Sequence, residues 1–449
     1  MALFSNYLYI QEAFMFNPYV QYMYSYPHKT AYRSLPSLPL KDYFVRLAGS
    51  GHGLYLHVPF CQTKCGYCNL FSVTGQSAEV MDKYLLAVER QVCQYVSLLP
   101  DSCSFSSLTI GGGTPLLFRE SQMDRVFEML KKMPHFQGIK EMVIETAPNQ
   151  TSREKLRRLK QAGVTRVSMG IQSFSDAELK TLVRQHSAKK ARKALELLME
   201  EGFPCVNIDF IYGIPGQTKD SLLCSLKEAL KFSPDEIFLY PLYVKHGAGL
   251  EKQIQCGLVL EPQKAYEQYR EASAFLRSSG FRQDSMRRFV RVKDEEGNLR
   301  EFSDCGFGTS LALGCGGRSY LGNLHFCTPY AITPRDSLFQ LQQFIAAEDY
   351  TKVNHGILLS EDEIKRRYLI RHLLIYPGLN EEEYHRRFQS RADVDFPFLG
   401  EWIDKGWLVR DSFLALSAMG LGLSDYLGPQ MISRQIRQRM DAWEACHGQ

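Results

Sequence analysis

"GLYLHVPFCQTKCGYCNLF", residues 53–71, passes from a short apolar run into a polar loop that carries three thiols. The run at 53–58 has β character, so Cys61, Cys65 and Cys68 follow the end of a strand in C-x3-C-x2-C spacing. A disulfide would leave one thiol over and needs an oxidising compartment. A structural zinc site closes on four ligands, but no other Cys or His nearby has zinc-finger spacing, and His57 lies in the strand, where its ring can equally pack. Thiols that only fill a core do not suit a loop with Gln62, Lys64 and Gly66. An iron–sulfur cluster, whose irons are held by thiolates, is the remaining reading. On a [4Fe-4S] cubane three cysteines leave one iron without a protein ligand. An open metal position is what a catalytic site needs and a structural site avoids.

From this loop onward strands and helices alternate. "AEVMDKYLLAVERQVCQYV" (78–96) carries apolar residues at helical spacing. "SLTIGGG", "EMVIETAP", "RVSMGIQ" and "CVNIDFIYG" each read as a strand followed by a helical stretch, and "EIFLYPLYV" (236–244) closes the series at six strands. Such alternation builds a parallel sheet with helices packed outside. Six strands do not complete an eight-stranded barrel, so an open partial barrel and a doubly wound sheet both fit. In either, chemistry gathers at the C-terminal strand ends, where the cysteines, GGGTP (111–115), Glu145, Gln172 and Asp209 fall.

After about residue 245 the rhythm stops. Residues 264–281 read as a helix, 292–302 as a solvated hairpin turn, and 311–322 as a glycine-rich strand and loop. Beyond 360 come helical pieces, the strand-like "GWLVRDSFLALSAMG" and one last helix, "DYLGPQMISRQIRQRMDAWEA". The expected division is an N-terminal extension (1–50), the α/β core (51–245), a core extension (246–355) and a small winged-helix-like domain (356–449).

Hydrophobic residues make up 45% of the 449 and charged residues 23%, ordinary values for a globular chain with a sizeable core. A net charge of +4 is nearly neutral at this length, which argues against nucleic-acid and acidic-membrane partners. No apolar run is long enough to cross a bilayer. The aromatic start (Phe4, Tyr7, Tyr9, Phe14, Phe16) lacks the basic n-region of a signal peptide, and Met15 is an alternative initiator. Twelve cysteines without a secretory signal read as reduced thiols in the cytoplasm. Of these, Cys93, Cys205, Cys224 and Cys315 have the apolar neighbours of core residues.

The cysteine motif in its strand context resembles the radical S-adenosylmethionine (radical SAM) superfamily. "YLHVPFC", "GGGTP", "RVSMGIQSF", "LVRQH", "NIDFIYGIPGQT" and "LGCGGRSY" narrow the resemblance. They are similar to the subfamily of oxygen-independent coproporphyrinogen III oxidases, heme chaperones (HemN/HemW-like) and class C radical methyltransferases. The similarity runs over residues 20–435 or so. It implies a partial (β/α)6 TIM-like radical SAM barrel with a small C-terminal winged-helix-like domain. It also implies a [4Fe-4S] cluster on Cys61, Cys65 and Cys68, with S-adenosylmethionine on the open iron through its amino and carboxylate groups. An electron, from a donor such as flavodoxin or ferredoxin, then splits the sulfonium, and the 5′-deoxyadenosyl radical abstracts hydrogen from a small-molecule substrate.

Candidate residues follow from both arguments. Gly111, Gly112, Gly113 and Thr114 form a turn whose missing side chains let backbone approach a ligand; in the family it contacts the methionine amino group. Glu145 ends an apolar strand, where its carboxylate can accept hydrogen bonds from ribose hydroxyls. Asp209 inside "NIDFIYG" is costly to bury unpaired; a ribose hydroxyl or an internal hydrogen bond would satisfy it. The resemblance alone supplies Gln172, Tyr55, Tyr243 and Arg184, whose guanidinium suits the methionine carboxylate. Read by itself, Arg184 is a helix-surface charge and the tyrosines are core. Tyr320, His186 and Arg318 match the family more loosely.

The oxidases carry a fourth cysteine two positions after the third, and here that residue is Leu70. "YSYPHKTAYR" (24–33) is oxidase-like, whereas "LALSAMGLGLSDYLGP" (414–429) is similar to the chaperone branch. Three functions stay open: radical chemistry on a porphyrinogen or related tetrapyrrole, methyl transfer with a second S-adenosylmethionine, and heme-binding delivery. The arginines placed to pair with propionates, Arg287, Arg288 and Arg291, stand beside a charged hairpin and read equally as solvated.

Overall fold

The computed structural model describes residues 17–23, 25–244, 248–292, 308–331 and 333–447. The aromatic start with Met15, and the hairpin turn expected from 293 on, lie outside the described residues.

Strand β1 (Arg33–Pro39) precedes β2 (His52–Val58), which leads into the cysteine loop. The chain continues through α1 (Ala78–Val96), β3 (Phe105–Gly112), α2 (Glu120–Leu130), β4 (Glu141–Thr146), α3 (Arg153–Gln161) and β5 (Arg166–Gln172). Next come α4 (Asp176–Thr181), α5 (Ala188–Glu201), β6 (Cys205–Tyr212), α6 (Lys219–Leu230) and β7 (Glu236–Pro241). Strands β2 to β7 lie side by side in chain order and every neighbouring pair is parallel, as the alternating pattern predicts.

Period-two alternation sets what each face does. On β5 and β6, Val167, Met169, Ile171, Val206, Ile208 and Phe210 are buried in the main core. The intervening Ser168, Gly170 and Asp209 line a cavity on the other face. The helices start where short hydroxyl side chains stop the strand-to-helix turns. Ser77, Ser152, Ser175, Ser187 and Thr218 each accept a hydrogen bond from the backbone N–H three residues on.

The loss of rhythm after 245 marks a change of strand direction, while the sheet itself continues. After α7 (Pro262–Ser278), β8 (Phe281–Gln283) and β9 (Arg288–Arg291) pair with each other and β9 pairs with β7, both antiparallel. On the other side β10 (Ser310–Leu313) runs parallel to β2. Then β11 (Ser319–Leu321), β12 (Leu324–Phe326) and β13 (Lys352–Leu358), with β1 as the edge, complete a sheet of thirteen strands. Antiparallel neighbours need no crossover helix, so the βα signature vanishes from the sequence while the sheet grows. Helix α8 (Pro334–Ala346) precedes β13.

The C-terminal part comprises α9 (Glu361–Leu373), α10 (Glu381–Phe388), α11 (Phe398–Asp404) and a hairpin of β14 (Leu408–Arg410) and β15 (Leu414–Leu416). The expected single last helix is two, α12 (Ser424–Gln430) and α13 (Arg434–His447). The break falls at Ser433, whose hydroxyl caps the new helix at Ile436 N–H (3.2 Å). Helix α13 returns to the N-terminal segment, where Arg439 Nε donates to the Ala31 carbonyl (2.8 Å). Cys205 and Cys315 are buried, but Cys93 and Cys224 are exposed: their apolar neighbours face the core while they occupy the next helical position round. Among the described residues no helix is long and apolar enough to cross a membrane.

Candidate active site

The C-terminal ends of β2 to β7 open into a cavity of about 1080 Å³. Its lining gathers Cys61, Cys65, Cys68, Tyr55, Gly112, Gly113, Thr114, Glu145, Gln172, Arg184, Asp209 and Tyr243, residues spread from position 55 to position 243 of the sequence. His186, Arg318 and Tyr320 reach the same space.

The cysteine loop is shaped by the protein itself. A short parallel pairing of Phe60–Cys61 with Val73–Thr74 ties its two ends. Inside it, Cys68 N–H donates to the Cys65 carbonyl (3.1 Å), and Gly66 exchanges backbone bonds with Leu182 (3.0 Å) and Leu250 (2.7 Å). A Cβ at Gly66 would stand 2.8 Å from Leu250 and 2.9 Å from Val183, so only glycine fits this turn. Thr114 Oγ1 lies 3.9 Å from Cys61 Sγ, and Arg184 Nη1 lies 3.1 Å from Cys65 Sγ. Burial pushes the Cys61 thiol up to about 11 and raises that of Cys68 as well; a thiolate there calls for a metal cation beside it. Among the described residues no three His, Cys, Asp or Glu side chains converge on a single-ion position. A cubane asks for that spread arrangement, since each thiolate binds its own iron.

The glycine turn after β3 does more than admit a ligand. A Cβ at Gly111 would fall 2.7 Å from the Glu145 carboxyl carbon, and one at Gly112 would fall 2.5 Å from His57 Cε1. Gly112 also has φ +113°, and its N–H donates to Glu145 Oε2 (3.0 Å). These glycines therefore make room for the protein's own carboxylate and imidazole. Burial pushes Glu145 up to about 7, with nearby Asp209 adding to the rise and the Gly112 N–H opposing it. Burial likewise pushes Asp209 up to about 6, against the Asn207 amide (2.7 Å), Arg166 and the Ser168 hydroxyl (3.5 Å). Asp209 thus has internal hydrogen bonds and still faces the cavity.

At the end of β5 the pairing with β6 slips between Gly170 and Gln172, and Gln172 takes a left-handed φ of 73°. Backbone strain of this kind costs on the order of 1–3 kcal/mol and persists where the surroundings impose it. It turns the Gln172 amide across Gly170, where a Cβ would meet Nε2 at 2.7 Å. Arg184 is no helix-surface charge: the chain reverses after α4, and the guanidinium donates to the Gly170 carbonyl and to Cys65. His57 is a brace. Tyr55 Oη meets Nδ1 at 3.0 Å, Nε2 meets the Phe71 carbonyl at 2.9 Å, and burial lowers its pKa to about 4. His186 bonds the Ile171 carbonyl (3.1 Å) and is also pushed down to about 4 by burial. The Tyr243 hydroxyl donates to Asp425 on α12.

The expectation that Arg287 and Arg288 are propionate ligands or solvated charges is corrected, whereas Arg291 is half-exposed. Arg287 pairs with buried Asp425. Arg288 pairs with Glu236 (2.5 Å) and Asp284 (3.2 Å), and Arg291 Nε donates to the Pro234 carbonyl (3.0 Å). Other cavity residues escaped the reading: Lys29, Tyr67, Tyr330 and Trp443. Tyr67 carried a signal, as the one aromatic among the polar residues between the cysteines. Trp443 carried none, because helical periodicity does not tell which distant segment a helix closes upon.

Residues 55–229 match the radical SAM superfamily. The barrel with its three-cysteine loop therefore defines a radical SAM protein. Heme chaperone HemW of Mycobacterium tuberculosis is 33% identical over 239 residues, 52% of this chain and 61% of that protein, so the match spans less than two thirds of that relative. HemW of Bacillus subtilis is 31% identical over 274 residues, covering 60% of this chain and 70% of that one. Oxygen-independent coproporphyrinogen III oxidase of Escherichia coli is 28% identical over 332 residues, 72% and 71% of the two chains. The solved structure of the Escherichia coli oxidase (HemN) superposes with a TM-score of 0.74 at 23% identity over 91% of this chain and 96% of that one, which shows a common fold. The chain belongs to the HemN/HemW-like family of radical SAM proteins.

Membership brings a [4Fe-4S] cluster and S-adenosylmethionine. The residues present fit both. Three half-buried thiols on one tied loop suit the cluster. Beside them stand a guanidinium and two carboxylates that form no ion pair among the described residues, the donor and acceptors that an amino-acid end and a ribose require.

Proposed function

We propose that the chain is a radical SAM enzyme that abstracts hydrogen from a tetrapyrrole-type substrate. Cys61, Cys65 and Cys68 hold the cluster. When bound, the cluster and S-adenosylmethionine supply the electron and the sulfonium from which a hydrogen-abstracting radical is made. Arg184 takes the methionine carboxylate, as a planar, permanently charged donor. Gly112, Gly113 and Thr114 receive the amino group, and Glu145 and Asp209 accept from ribose hydroxyls. Gln172, Tyr55 and Tyr243 wall the cofactor. His57, neutral and bonded through both nitrogens, fixes the orientation of Tyr55. An electron donor such as flavodoxin or ferredoxin serves the cluster, in the cytoplasm.

One observation carries the substrate class. The cavity runs on from the strand ends past the thiols to Lys29, Arg318, Tyr330 and Trp443, and its 1080 Å³ holds more than a cofactor. Ligand pockets are typically about 300–1,000 Å³, so this space suits S-adenosylmethionine together with a planar macrocycle. A second reading, heme delivery without hydrogen abstraction, rests on Leu70. It is 44% exposed and lines the cavity at the position where the oxidases carry a cysteine.

The test is a product assay with anaerobically reduced protein given coproporphyrinogen, heme or neither. Deoxyadenosine with vinyl products supports oxidase-type chemistry. Deoxyadenosine with S-adenosylhomocysteine redirects the proposal to methyl transfer. Stoichiometric heme binding with no deoxyadenosine under any reductant overturns it in favour of delivery.

A further inference from the structure

The cavity has two kinds of wall. Near the strand ends it presents carboxylates. At the far end it presents cations, on segments that share no secondary structure. Lys29 opens a single helical turn, Lys29–Ala31, capped by the His28 side chain. Its ammonium stands 3.7 Å from the centre of the Tyr330 ring. Tyr330 in turn packs on Trp443 of α13, ring centres 5.1 Å apart. Arg318 reaches the same end from the turn between β10 and β11, held by the Ser25 hydroxyl.

The largest charge influences on Lys29 are Arg318 and Lys64, both repulsive, and Cys327 and Cys68, which raise it when they are thiolates. Among the described residues no carboxylate stands with them. Glu444 lines the same end but is exposed and forms no ion pair with Lys29. Burial, with Arg318 next, lowers the Lys29 ammonium to about 7. A cation held this way is costly in the empty cavity, in contrast to Arg287 and Arg288, each given an acid by the fold. A carboxylate to pair with it directly is left for a ligand to bring.

We infer that Lys29 and Arg318 form a subsite for the propionate-type carboxylates of the substrate, beside the Tyr330–Trp443 face on which its macrocycle lies. The inference rests on the tetrapyrrole reading and deepens it: the ligand enters with its acidic edge toward the N-terminal turn.

The probes are coproporphyrin III and its tetramethyl ester, titrated in the same detergent solution into cluster-reconstituted full-length protein and followed by fluorescence quenching. A charge-assisted contact is worth about 1.5–3 kcal/mol, hence at least about a tenfold preference of the wild type for the free acid. Lys29→Met should lose that preference on the acid and leave the ester unchanged, while Lys29→Arg should retain it. Equal affinity of the wild type for acid and ester overturns the subsite, and this comparison stands even if Lys29→Met does not fold. Unchanged acid binding by Lys29→Met at equal iron content overturns it too. Failure of both probes to bind wild-type protein that does bind S-adenosylmethionine overturns the tetrapyrrole reading instead.

Discussion

The two ends of the parallel barrel bury the same kinds of charged group on opposite terms. At the N-terminal end, Glu236 at the start of β7 meets Arg166 from β5 and Arg288 from β9, each at 2.5 Å, and Asp284 takes Arg288 at 3.2 Å and Arg282 at 2.6 Å. Both of these acids have a cation. At the C-terminal end, Glu145 and Asp209 have backbone, amide and hydroxyl donors but no ion-pair partner among the described residues, and burial holds both above the ordinary carboxylate range. The first arrangement is complete without a ligand. The second is the pattern expected of a site that a ligand completes.

The comparison can be broken in several ways, taken here from the largest effect down. Replacing Cys61, Cys65 and Cys68 together by Ala should abolish bound iron and its visible absorption after anaerobic reconstitution, with the far-ultraviolet dichroism of the fold retained. If about four irons per chain still bind, the C-terminal end has been misread. The other nine cysteines should be dispensable.

Glu236→Ala should act in reverse, sparing the iron and lowering the urea-unfolding midpoint. It leaves Arg166 buried without its acid, a loss of about 3–5 kcal/mol. A midpoint within error of the wild type would show that the N-terminal network is ornamental.

Arg184→Ala and Glu145→Ala should keep the cluster and each weaken S-adenosylmethionine binding by about 1.5–3 kcal/mol, read by anaerobic calorimetry. Unchanged affinity in both variants would remove these residues from the cofactor site.

A further test is in pH. The Glu145 carboxyl moves from its ordinary 4.5 to about 7 in the fold. Between those values the folded protein keeps a proton that the unfolded chain has released. Its contribution to ligand-free stability therefore falls as pH rises through the window and is flat above it. Glu145→Gln removes the titration, so the stability of the wild type relative to the variant should decline from about 4.5 to about 7. A relative stability that rises with pH, or stays constant, would mean that the carboxylate is already compensated without ligand.

Much of the barrel could be read before any coordinates, because parallel strands buried under helices impose period two and period 3.6 in strict alternation. Helix α1 covers the 78–96 stretch that periodicity marks. The cysteine loop was legible because its chemistry is local: spacing within eight residues suffices. What sequence could not convey depends on closure between distant segments. The antiparallel strands on either flank carry no crossover signal. The pairing of Arg287 with Asp425 joins residues 138 positions apart, and the meeting of Lys29 with Trp443 through Tyr330 joins three segments that have no local pattern in common. Gln172 was found through family likeness, but its left-handed backbone was not, since nothing in "GIQSF" distinguishes a bulge from a straight strand end.

Helix α13 lends the cavity Met440, Trp443, Glu444 and His447, and it is the last described element in chain order. The cysteine loop and strands β2 to β7 have been synthesised by residue 241, while α13 begins at 434. At about 5–20 residues per second the thiols wait roughly 10–40 s beside a wall that does not yet exist. During that interval the loop stands without the wall that α13 later adds, so the order of translation separates the making of the cluster ligands from the completion of the cavity.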